Sequence, residues 1–129
     1  MAVGFPAQTG DIFTAVDYNG LVTFDVSADQ TADYTAVLAD SYQKLVVMNK
    51  STAVAFKIPT NASAAIPVGS VITVLNKGAG TLTISAVTSG TTTVLSAGAV
   101  AASPTVGQYK TAACIKTATD TWYVVGGIQ

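Results

Sequence analysis

Residues 67–84 read PVGSVITVLNKGAGTLTI, and the fold turns on what the glycines between its two apolar runs are for. A loop that grips phosphate needs the order strand, Gly-rich loop, helix, so that backbone N–H groups and a helix N-terminus face the anion. Here Lys77-Gly78-Ala79-Gly80 stands between SVITVLN (70–76) and TLTIS (81–85), both alternating runs, and neither Gly-Lys-Ser nor Gly-Lys-Thr occurs anywhere in the chain. The expectation is therefore a tight β-hairpin whose glycines supply positive φ angles, with no phosphate or nucleotide site.

The same alternation repeats on both sides of this stretch. LVTFDV (21–26), KLVVMN (44–49), AVAFKI (53–58), TTTVLS (91–96), KTAACIKT (110–117) and TWYVVG (121–126) each read as a strand. Turn signals part them: Asn49-Lys50, Pro59-Thr60-Asn61, Pro67-Val68-Gly69, Ser89-Gly90 and Ala118-Thr119-Asp120. Thr (19), Val (17) and Ile (7) make up a third of the 129 residues, and β-branched side chains favour the pleated, half-buried surface of a strand. TADYTAVLADSYQ (31–43) has a helical stripe in Tyr34, Val37, Leu38 and Tyr42 but is poor in helix formers, so it is read as mostly strand and loop. These signals predict an all-β protein, an antiparallel β-sandwich or β-barrel of short strands with an extended N-terminal arm. Residues 1–20 form the arm and residues 21–129 a single β-rich domain.

The absent residue types narrow the chemistry. The chain has no His, no Arg and no Glu; its acids are all Asp and its bases all Lys. The usual general base near neutral pH and the commonest metal ligand are missing, as is the bidentate clamp for phosphate or guanine. With no catalytic constellation, the chain is expected not to be an enzyme, and no cofactor or metal is expected. Asp25, Asp29 and Asp33 lack the alternating ligands, Gly and terminal Glu of an EF-hand loop. The slightly acidic balance, net charge −1 and pI ≈ 4.8, disfavours nucleic acid.

Only 10% of residues are charged and 50% are hydrophobic, against about 25% charged in ordinary domains. A surface so poor in charge is tolerable when copies or partners cover much of it, which points to an assembly protein. The charges also segregate: Asp11, Asp17, Asp25, Asp29, Asp33 and Asp40 all precede the first lysine, Lys44, and only Asp120 follows. Opposite potentials of this kind fix register within a subunit or between neighbours. Cys114 is alone and reads as a small buried hydrophobe. The first ten residues lack the basic and apolar regions of a secretory signal, and no apolar run nears the ~20 residues of a membrane span, so synthesis in the cytoplasm is expected, without membrane association.

From about residue 36 onward the order of motifs resembles a module of tailed-phage virion proteins found in capsid decoration (cement), head-fibre and tail-fibre proteins. The residues that carry the likeness are the KLVVMN strand (44–49), the strand ending at Pro59, the PVGSVITVLNKGAG segment (67–80) and TDTWYVVG (119–126). The resemblance implies a β-rich homotrimer on the virion, with the major capsid protein as its other partner. A chain this short is expected to be a decoration protein that binds the assembled head and stabilises it; the alternative is a receptor- or glycan-binding knob of a head or tail fibre.

Phe5, Pro6, Ile12 and Phe13 are the apolar residues of the arm and the candidates for capsid or subunit contact, through strand addition and pocket filling; the arm equally fits pairing with its own body. Tyr18, Tyr34, Tyr109 and Tyr123 are the candidate ligand-facing aromatics for the knob. Trp122, inside an alternating strand, is expected in the core, and Asp120 as a turn former.

Overall fold

The computed structural model describes Ala15, residues 23–98 and residues 100–129. Its strands are β1 (Asp25–Gln30), β2 (Tyr34–Thr35), β3 (Lys44–Met48), β4 (Val54–Ile58), β5 (Val71–Asn76), β6 (Leu82–Ala86), β7 (Thr93–Ser96), β8 (Thr105–Val106), β9 (Thr111–Ala118) and β10 (Thr121–Gly126), with a 3-10 turn at Leu38–Ser41 after β2. They form a six-stranded sheet in the order β1-β3-β5-β9-β10-β7 and a four-stranded sheet in the order β2-β4-β6-β8. The chain is all-β, as expected, but its sheets are mixed.

The expected antiparallel pairing is wrong for much of the chain. From β1 to β6 successive strands go to alternate sheets, and β1, β3 and β5 stack parallel, as do β2, β4 and β6. A strand that returns to its sheet only after visiting the other one arrives pointing the same way, so each circuit stacks parallel on the last. Leu45 pairs with Thr73 and Val54 with Leu82, so the two sheets advance by the same number of residues from β3 to β5 and from β4 to β6. The preceding turn, Asp25 to Lys44 in one sheet and Tyr34 to Phe56 in the other, is shorter and unequal. The circuit is closed by antiparallel partners, β8 on β6 and β9 on β5, with the β9–β10 hairpin folding back before β7 joins β10 in parallel.

Lys77–Gly80 is consequently a corner between sheets and not the hairpin expected for it. Gly78 and Gly80 are not among the glycines with positive φ, which are Gly69 and Gly126. They are required by close approach: a Cβ on Gly78 would overlap the Lys50 backbone and one on Gly80 the Thr52 carbonyl, one turn below. Asn76, fully buried at the same corner, donates from Nδ2 to Gly80 O (2.9 Å) and Val106 O (2.8 Å), tying the corner to β8. These two bonds offset the desolvation of the Nδ2 end of the amide, whereas the buried Oδ1 has no hydrogen-bond partner among the described residues.

The two sheets share one core. Val46 and Met48, Ile72 and Val74, Ala112 and Cys114, and Trp122 and Val124 alternate inward from the larger sheet; Val54, Phe56, Ile58, Leu82 and Ile84 do so from the smaller. Cys114 and Trp122 lie in this core, as expected. Burial pushes the Cys114 thiol up to about 12, because a thiolate there would be desolvated. The 31–43 stretch is strand, loop and 3-10 turn. Its buried Asp40 accepts from Tyr34 Oη (2.7 Å) and from Val37 N–H (2.9 Å), capping the turn.

Candidate functional site

The outer faces of the two sheets differ in chemistry. On the smaller sheet the outward rows across the strands are Thr35, Lys57, Ser85 and Ala55, Thr83, Thr105, a mostly polar surface suited to water. On the larger sheet one row runs Val71, Ile115, Tyr123, Leu95 across β5, β9, β10 and β7, and a second runs Val26, Leu45, Thr73, Ala113, Val125 from β1 to β10. The outward positions of β3, β5, β9, β10 and β7 carry no charge. At about 4.8 Å between strands and about 3.3 Å per residue, the face covers on the order of 400 Å² in projection, a size at which apolar patches mark interaction sites. Near its β7 margin it dips into a hollow of about 540 Å³ bordered by Leu95, Tyr123, Val125 and Ile128.

The alternation that builds the core also builds this face. Strands buried on one side usually alternate apolar with polar residues, yet VITVL in β5 and ACI in β9 put apolar residues on both sides. That signal was present in the sequence as an excess of apolar over polar residues in these runs.

The structure separates the candidate aromatics. Tyr34 belongs to the interior margin: its ring stacks on Phe56 at 6.0 Å between centroids. Burial and the neighbouring Asp40 carboxylate raise its hydroxyl well above the ordinary tyrosine range. It is thus a half-buried residue tied into the framework by Phe56 and Asp40. Tyr109 is 76% exposed at a left-handed turn position (φ 65), and Tyr123 is 44% exposed within the apolar face. Tyr18, Phe5, Pro6, Ile12 and Phe13, and with them all of the arm but Ala15, lie outside the described residues. Phe24 is 54% exposed just ahead of β1.

Acidic and basic halves meet within the chain. Asp29 of β1 and Lys77 of the corner form an ion pair at 3.1 Å, and Asn49 Nδ2 donates to the same carboxylate at 2.9 Å. These two contacts hold the Asp29 carboxyl below its ordinary range. Lys44 Nζ stands 3.6 Å from Asp40 Oδ1.

One polar cluster went unnoticed in the sequence. Lys116, an outwardly ordinary lysine of KTAACIKT, is 2% exposed. Its Nζ donates to Asn61 Oδ1 and to Ile66 O, both at 2.6 Å, and lies 5.9 Å from the Trp122 ring centre. Asn61 N–H donates in turn to Asp120 Oδ1 (2.7 Å), which also accepts from Thr92 Oγ1 (3.2 Å). Asp120 does stand at a turn, with φ 57, and its carboxylate additionally ties the 59–66 segment to the β9–β10 hairpin. Counting inward positions along β9 finds Lys116; its depth and partners come only from the fold.

Among the described residues no three Cys or Asp side chains gather in a metal-binding group, and no helix is long and apolar enough to cross a membrane. The chain matches no family model, no curated protein and no solved structure.

Proposed function

We propose that the chain is a non-enzymatic structural protein of a tailed-phage virion, a capsid decoration protein that binds the assembled head as a homotrimer and stabilises it. The observation that carries this reading is the asymmetry of the outer faces: one sheet carries mostly polar side chains outward, the other two largely apolar rows, with threonines but no charge at the outward positions of five strands. A module of this kind loses free energy to water until another protein covers it, and interfaces between copies are the more apolar class. We read the paired sheets as a sandwich, with residues 1–20 as the arm that reaches the coat or clasps a neighbour.

The mechanism is mechanical. The trimer spans joints between coat subunits, and by binding the closed shell and not its separated subunits it shifts the equilibrium toward the shell by mass action. No proton, electron or group is transferred.

Sedimentation equilibrium of the purified chain tests the assembly half of the proposal. Three chains per particle is the expected result, with Ile115→Asp reducing it to a folded monomer; a wild-type monomer at all concentrations contradicts it. The knob reading draws on Tyr109, proud of the surface at a constrained turn. Loss of host-cell binding by particles carrying Tyr109→Ala, with head stability intact, is the outcome that would favour it.

A further inference from the structure

Lys116 is a lysine buried with neutral partners only: an asparagine side chain, a backbone carbonyl and an indole face. Lysine is almost never fully buried unless paired with an acid, since taking an ammonium out of water without a counter-charge carries a large desolvation cost. The partner is chemically specific. Nζ is held 2.6 Å from Oδ1 of Asn61, the oxygen bonded to the carboxamide carbon Cγ. Asn61 is tied through its backbone N–H to the Asp120 carboxylate, and Nζ lies 5.9 Å from the Trp122 ring centre.

We propose that Lys116 and Asn61 condense into an isopeptide bond that staples the segment after β4 to β9. Nζ of Lys116 forms a bond to Cγ of Asn61, the Cγ–Nδ2 bond breaks, and Nδ2 leaves as ammonia with a proton taken from Nζ. Starting from the ammonium form, the products are the same amide and an ammonium ion. Nothing is oxidised or reduced and no co-reactant enters. Two features drive the step. Fixing nucleophile and carbonyl in contact turns a bimolecular amide exchange into an intramolecular one, where effective concentrations become very large. The product amide also has no charge, so the desolvation cost of the buried ammonium is removed. The 59–70 connection, which has no strand of its own between β4 and β5, is thereby tied covalently to the sheet that bears the apolar face.

The proposal rests on core packing alone and is independent of the virion role. Its test is the intact mass of the full chain, purified folded and held at neutral pH until the mass is constant. The wild type is expected to be lighter than its sequence by one ammonia, and proteolysis to yield a branched peptide joining Asn61 to Lys116. Lys116→Met and Asn61→Ala, checked for folding by circular dichroism, are expected at their full sequence masses. A folded wild type at its sequence mass overturns the proposal. So does a deficit that persists in Lys116→Met, which would assign the lost ammonia to succinimide formation at an asparagine.

Discussion

At the scale of single residues, the glycines of Lys77–Gly80 illustrate how a residue type can be read correctly and its reason missed. Gly was legible as a backbone requirement, but positive φ and close approach are both met by Gly, and only the stacking of one turn on another distinguishes them. The distinction is measurable. Gly80→Ala puts a methyl group into the Thr52 carbonyl below and is expected to cost about 1–3 kcal/mol in chemical denaturation, the range for overpacking. Gly90→Ala, with open space around its Cβ and no positive φ, is expected to change stability by less than about 0.5 kcal/mol. Cys114 was legible from its apolar run and the absence of His. Its thiol ionises near 12 when folded and near 9 when exposed. The unfolded chain therefore releases this proton first, and the stability contribution present below pH 9 declines as pH rises toward 12. At pH 8 a thiol reagent is expected to label Cys114 only as fast as the protein opens; rapid labelling of the native chain would show the site to be accessible.

Elements were more legible than their partners. Eight strand runs were visible from alternation, and the structure has a strand in each, offset by a few residues at the ends and most at LVTFDV, where the strand begins only at Asp25. The short β2 falls in the 31–43 stretch read as strand and loop, whereas β8 escaped because two residues carry no period. Which strand pairs with which is set by contacts far apart in sequence, and alternation contains the facing of a strand but not its neighbour. Parallel stacking was for that reason invisible, and with it the recognition that two rows of apolar side chains would line up on one outer face. At this scale the face makes its own prediction. Tyr123→Lys or Val125→Lys places a charge where no core contact is lost, so the melting temperature of the dissociated chain should stay within a few degrees of wild type. Assembly into the trimer should be lost, as read by light scattering. Retention of the trimer by both variants would remove the face from the interface.

The whole molecule joins a circuit of parallel strands to an antiparallel hairpin around one core, with a water-facing sheet and an apolar-facing sheet. Composition anticipated the last property: a chain with 10% charged residues cannot clothe all its surface in charge, and the structure shows which surface goes without. The charge segregation along the chain was also visible, and it resolves in part into intramolecular pairs, Asp29 with Lys77 and Lys44 beside Asp40. Of the buried Lys116 only the facing was legible, two positions past Cys114 in KTAACIKT; its depth and partners arise when the 59–66 segment folds over it. On the proposed role, deleting residues 1–20 should weaken attachment to heads in a co-sedimentation assay while the remaining body keeps its circular dichroism spectrum; unchanged attachment would remove the arm from docking. The central claim is that the chain coats a head. The number of copies of this chain per purified particle, counted against the major capsid protein by quantitative mass spectrometry, tests it most directly. A copy number comparable to that of the coat protein is expected. A few copies per particle, or none, would contradict it.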